Sequence, residues 1–199
     1  FNYFKSLSQN KYPDKYITVS EKVEELRYGE NPHQTGAIYS LKGNQRINQL
    51  HGKKLSYNNY NDIFSSLLIS KSLPKNLGTV IVKHANPCGV SIDRDKIKSF
   101  KLALNCDPKS AFGGIVSCNF KMNSEVAKEI NKIYFEIIVA NGFDTKALRI
   151  LKKKKNLRII DSSKVKIEEF SNITTNFNNF LIQSSDLKNI NLKDFWVVS

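Results

Sequence analysis

Apolar and polar positions change period several times along the chain. Gly78-Thr79-Val80-Ile81-Val82 is an unbroken β-branched run, the pattern of a strand buried on both faces. Lys83 and His84 stand at its end, and Ala85-Asn86-Pro87-Cys88-Gly89 predicts a turn that stops it. Further extended segments are predicted at Ala37–Ser40, Gln49–Ser56, Ile115–Cys118, Tyr134–Ala140, Leu157–Ile160 and Phe180–Gln183, with a turn at Gly43-Asn44 between the first two. Helical spacing puts Ile63, Leu67 and Leu68 on one face of a helix over about Asn61–Ser72. It groups Ile97, Phe100, Ala103 and Leu104 over Lys96–Asn105, a helix that Asp107-Pro108 closes. Ser124–Ile133, capped by Asn123 or Ser124, and Asp144–Lys153 complete the helices, and Phe1, Tyr3 and Phe4 fit the end of another. Strands alternating with helices of this length predict an α/β domain with a largely parallel or mixed sheet.

Composition adds bounds. With 199 residues, 40% hydrophobic and 25% charged, the chain fits one or two soluble domains. No apolar run approaches the ~20 residues that span a bilayer, and no signal peptide is present, so a cytoplasmic protein without a membrane partner is expected. A start at Phe1, a lone methionine at Met122 and an apolar close at Phe195–Ser199 point to a piece of a longer polypeptide, with the polar segment 1–26 as a connector. Three cysteines, Cys88, Cys106 and Cys118, without a C-x-x-C pair argue for reduced thiols, and three histidines with no H-x-E motif argue against zinc. The net charge of +13 fits either nucleic acid or a small polyanionic ligand, or a Lys- and Asn-rich compositional drift. Lys152 to Lys155 falls at a predicted helix end, where cations complement the dipole, which weighs against a nucleic-acid patch.

Three loops carry chemistry of their own. Leu26 to Gln34 holds Arg27, Tyr28 and His33 among turn formers: a guanidinium and a phenol that suit a phosphate, or a polar loop with a structural arginine. Ser110-Ala111-Phe112-Gly113-Gly114 offers paired glycines for close backbone approach and a ring that can stack, or a tight turn with a core Phe. Ser56-Tyr57-Asn58-Asn59 opens a helix, where Asn is a cap or a substrate contact. Ligands in open α/β sheets bind at the carboxyl ends of strands, so these loops and the Lys83-His84 pair are expected to converge on one crevice for a nucleotide-like substrate handled by proton transfer.

LRYGENPHQ at 26–34, LSYNN at 55–59, VIVKHANPCGV at 80–90 and DPKSAFGGIV at 107–116 resemble, in order and spacing, the transformylase part of the bifunctional AICAR transformylase/IMP cyclohydrolase family, and FEIIVA at 135–140 is similar too. The resemblance implies a cytidine-deaminase-like three-layer α/β/α fold with a mixed sheet and no zinc, with 27–199 as the first of two such halves. It implies formyl transfer from 10-formyltetrahydrofolate to AICAR, Arg27 and Tyr28 on the AICAR phosphate, Asn58 on the substrate, Lys83 at the developing oxyanion and His84 as proton carrier. Phe112, Gly113 and Glu136 would line the same site, and a homodimer would complete it. Ala140-Asn141 departs from the family's frequent Ala-Pro. The upstream cyclohydrolase domain and the second half are missing from this sequence, so the chain alone is expected to be inactive. The rival readings are a non-catalytic basic module for RNA or another polyanion, and a zinc nucleoside deaminase.

Overall fold

The computed structural model describes residues 12, 15–41, 47–166 and 171–184. The expected helix end at 1–4, the Gly43-Asn44 turn and the apolar segment 195–199 lie outside them. Two units are resolved by their contacts, 1–164 and 165–199. In the second, β9 (Ser171–Asn176) and β10 (Asn179–Ser184) form an antiparallel hairpin.

The first unit is built on a mixed sheet of six strands in the order β3-β8-β7-β6-β4-β5. These are β3 (Asn48–His51), β4 (Gly78–Lys83), β5 (Asn86–Ile92), β6 (Ile115–Cys118), β7 (Ile137–Ala140) and β8 (Arg158–Asp161). β6, β7 and β8 are parallel to one another, whereas β4 runs antiparallel to β6 and β3 antiparallel to β8. Outside this sheet, β1 (Glu21–Leu26) and β2 (Gly36–Ser40) pair antiparallel. β1 lies inside 1–26, where sequence showed no strand, because its only inward residues are Val23 and Leu26.

Period two along the sheet sends alternate side chains to opposite faces. On one face lies α1 (Tyr57–Ser72), where Ser117 Oγ donates to Ser70 Oγ at 3.0 Å. On the other, α2 (Lys96–Cys106), α4 (Ser124–Asn131) and α5 (Thr145–Leu151) bury Phe100, Ala127, Ile130 and Leu151 against Ile81, Val116, Ile138 and Ile159. The result is helix, sheet and helices in three layers, the expected α/β class.

The helix boundaries follow their caps. Ser56 and Asn59 satisfy each other's backbone N–H groups in a capping box, so α1 begins at Tyr57, four residues before the expected start at Asn61, and the extended piece before it ends at His51. Asn123 and Asp144 accept from Val126 and Ala147 and start α4 and α5. Leu68, expected on the buried face of α1, is 46% exposed. Asp107-Pro108 does end α2, and Asp107 then caps a further turn, α3 (Pro108–Ala111), with proline at its first position.

The largest difference follows β4. The predicted turn at Ala85–Gly89 is a strand, β5, and the reversal is the two-residue loop His84-Ala85 between the paired Lys83 and Asn86. Both loop residues have positive φ, 53° and 59°, the sign pattern of the tight hairpin turn that follows strand twist. Pro87 is tolerated because β5 is an edge strand. Cys88 is an extra residue in the register between Gly89 opposite Ile81 and Pro87 opposite Val82. Gly89 is required by packing: a Cβ there would stand 1.9 Å from Ala103 O of α2.

Candidate functional site

Strand register assembles the site. Val82 pairs with Ile115, Ile115 with Ile137, and Ile137 with Arg158, so one row crosses four strands. The residues just beyond that row, Lys83, Phe112 to Gly114, and Glu136, therefore meet at one edge of the sheet. Because β4 is antiparallel, this edge holds the amino ends of β6, β7 and β8, not the carboxyl ends expected from the general rule for α/β sheets.

Lys83 is half-buried and its Nζ donates to Phe112 O at 3.0 Å. Phe112 is 60% exposed, with its ring against Tyr134 at a centroid distance of 5.4 Å. A core position for this Phe is thereby excluded. Gly113 has φ +74°, a conformation glycine adopts without strain, and its N–H donates to Tyr134 O at 2.8 Å. Glu136 N–H donates to Gly114 O, and the Glu136 carboxylate pairs with Arg158 at 2.9 Å. Arg158 also donates through Nε to Lys54 O. An open groove of about 390 Å³ runs past Glu136 and Arg158, bordered by Tyr134, Lys53, Lys154 and Lys155. Lys154 is committed there: its Nζ bonds Asn131 O and Ile133 O at and just after the end of α4, a different helix from α5, whose end this run was expected to serve.

His84 lies exposed on the hairpin loop, and its carbonyl accepts from Asn86 Nδ2 at 2.8 Å. Behind it stands Asp62 of α1, whose Oδ1 accepts from Ala85 N–H at 2.6 Å. Burial pushes the Asp62 carboxyl above its ordinary pKa; the Ala85 N–H and His84 oppose this, and Glu136 adds to it. Burial likewise raises the Cys88 thiol, with Lys83 pulling it back.

Arg27, Tyr28 and Asn58 form a second group. The Arg27 guanidinium lies 5.9 Å from the centre of the Tyr28 ring, and both face solvent at least in part. The loop is closed by Gly29 N–H to Gln34 O at 2.8 Å and Asn31 N–H to Gln34 Oε1 at 2.7 Å. Asn58 Nδ2 donates to Glu30 O at 3.2 Å, so Asn58 does not cap α1 but ties the helix to this loop. Asn58 and Asp62 are one turn apart on α1, which thus touches both groups.

Sequence reasoning overlooked Asp62, Ser65, Tyr134 and Arg158. Asp62 carried a signal, its spacing of four from Asn58. Arg158 carried none, since its partner Glu136 is brought to it by parallel strand pairing. Among the described residues no three His, Cys, Asp or Glu side chains gather as metal ligands, and no helix is long and apolar enough to cross a membrane.

Comparison with known proteins agrees with the motifs. The family model described as AICARFT/IMPCHase bienzyme matches residues 1–199. The chain is 41% identical over 204 residues to the bifunctional purine biosynthesis protein PurH of Oceanobacillus iheyensis, covering 100% of this chain and 40% of that one. It is 43% identical over 159 residues to PurH of Elusimicrobium minutum, covering 79% and 30%, and 39% identical over 198 residues to PurH of Prochlorococcus marinus, covering 93% and 38%. The chain therefore spans well under half the length of these relatives. With the match running through every residue and through the loops that meet at the sheet edge, the chain belongs to the AICARFT/IMPCHase bienzyme family.

Proposed function

We propose that the chain forms part of an AICAR formyltransferase, which moves a formyl group from 10-formyltetrahydrofolate to the 5-amino group of AICAR on the way to IMP. The observation that carries this reading is the Lys83 Nζ to Phe112 O contact, which joins two of the four family motifs at one sheet edge. Arg27 and Tyr28 grip the AICAR phosphate, Asn58 holds their loop against α1 and contacts the substrate, and Phe112, Gly113 and Glu136 line the base.

The AICAR amine is a weak nucleophile because its lone pair is spread into the ring and carboxamide. It attacks the formyl carbon, a C–N bond forms, and the carbonyl oxygen becomes an oxyanion beside the Lys83 ammonium. His84 takes the proton released by the amine and returns it to N10 of the folate as the C–N10 bond breaks. The mixed sheet between two helix layers supports a cytidine-deaminase-like half, which in this reading uses no zinc. In this reading ring closure to IMP and the remaining folate contacts belong to other parts of the bienzyme, which works as a cytoplasmic homodimer.

The test is formyl transfer by the polypeptide at the full length of its relatives, wild type against Lys83→Ala and His84→Ala. Each substitution lowers kcat by roughly 100-fold or more. Near-normal rates in both would overturn the mechanism.

A further inference from the structure

Asp62 and Ser65 stand three residues apart on α1 and take hold of one peptide unit pair. Asp62 Oδ1 accepts from Ala85 N–H at 2.6 Å, and Ser65 Oγ donates to Ala85 O at 2.6 Å. Ala85 is the second residue of the loop whose first is His84, and both hold positive φ. Such a turn ordinarily takes Asn-Gly or Gly-Gly, since a residue with a Cβ is strained in the left-handed region. His84 and Ala85 both carry a Cβ, so the surroundings must hold them there. The Asn86 Nδ2 bond to His84 O adds a third restraint from the loop itself. Both bonds from α1 run from its side chains to the backbone of Ala85.

We propose that Asp62 and Ser65 are positioning residues that clamp the His84-Ala85 loop in its left-handed form and so fix where the His84 imidazole and the Lys83 ammonium are presented. Asn58, on the same face of α1, holds the 27–34 loop. One rigid helix thus sets the separation between the phosphate-binding loop and the proton carrier. The inference rests on the formyl-transfer reading for its effect on rate, but not for its effect on the loop.

Two measurements separate these. In the full-length polypeptide, Asp62→Ala lowers kcat by about tenfold to 100-fold while KM for AICAR moves less than threefold, as expected of a misplaced group that does not itself touch the substrate. Asp62→Asn, which keeps an acceptor for Ala85 N–H, recovers most of the rate. The double variant D62A/A85G recovers it too, because glycine holds positive φ without a clamp. Independently of activity, hydrogen exchange at the Ala85 amide is faster in Asp62→Ala by at least tenfold and is restored in Asp62→Asn. Unchanged exchange at Ala85 overturns the clamp whatever the enzyme does. Faster exchange in a protein whose wild type transfers no formyl group upholds the clamp and sinks the functional reading. Loss of activity that neither Asp62→Asn nor the double variant restores overturns the positioning role.

Discussion

His84 and Ala85 show how single residues carry both strain and chemistry. Their positive φ values would be costly in a free loop, and the hydrogen bonds of Asp62 and Ser65 are what make them stable here. Asp62 is half-buried, and burial raises its pKa against the pull of Ala85 N–H and His84, with Glu136 adding to the rise. The folded state therefore holds the Asp62 proton more tightly than the unfolded chain. That contribution to stability is complete below the unfolded value of about 3.9 and is lost as pH rises through the folded value. Asn at this position removes the titration and keeps the acceptor. The Tm of Asp62→Asn minus that of wild type should therefore increase between about pH 3.5 and pH 7, and a flat difference would show that burial does not govern this group. In the local sequence only its spacing of four from Asn58 marked this residue, because its hydrogen-bond partner is 23 positions away on another element.

At the scale of elements, the fold is tied at both ends of α1. Its first turn reaches the 27–34 loop through Asn58, and Tyr60 Oη donates to Glu24 Oε1 of β1 at 2.6 Å. Its last turn is held by Asn119, which follows β6 and is almost wholly buried. Asn119 Oδ1 accepts from Gly78 N–H at 2.8 Å, and its Nδ2 donates to Ser70 O, Leu73 O and Pro74 O. One amide thus satisfies the open end of a helix and the start of β4 together. Asn119→Ala leaves several of these groups unpaired and should destabilise the protein by about 3 kcal/mol in denaturant unfolding. A loss under about 1 kcal/mol would mean that water replaces the amide. Asn141 plays a similar part, accepting from Lys71 Nζ at 3.1 Å, while Lys71 also reaches Ser162 O. Helices with a clear apolar period and an Asn or Asp cap were legible in the sequence to within about two residues, as in α4 and α5. β1 and β5 were not, since an edge strand with one shallow face carries little period, and Asn-Pro there imitates a turn.

At the scale of the molecule, the proposed chemistry is shared with chain that these 199 residues do not include, given relatives more than twice as long. The expected outcome is no detectable formyl transfer by the 199 residues alone, against turnover by a polypeptide of the relatives' length under the same conditions. Measurable transfer by the isolated chain would show that the site is complete within it. The sequence by itself determined the α/β class, the capped helices, the four motif loops and, through them, the family, because periodicity, caps and turn formers act between near neighbours along the chain. Only the tertiary structure decided that β4 is antiparallel to β6, that Lys83 therefore meets Phe112 at the sheet edge that also carries Glu136, by the amino ends of the parallel strands, and that Asp62 braces the His84 loop. Those relations depend on strand order and helix placement, which are set by burying one core among all the elements at once, and no local spacing records them.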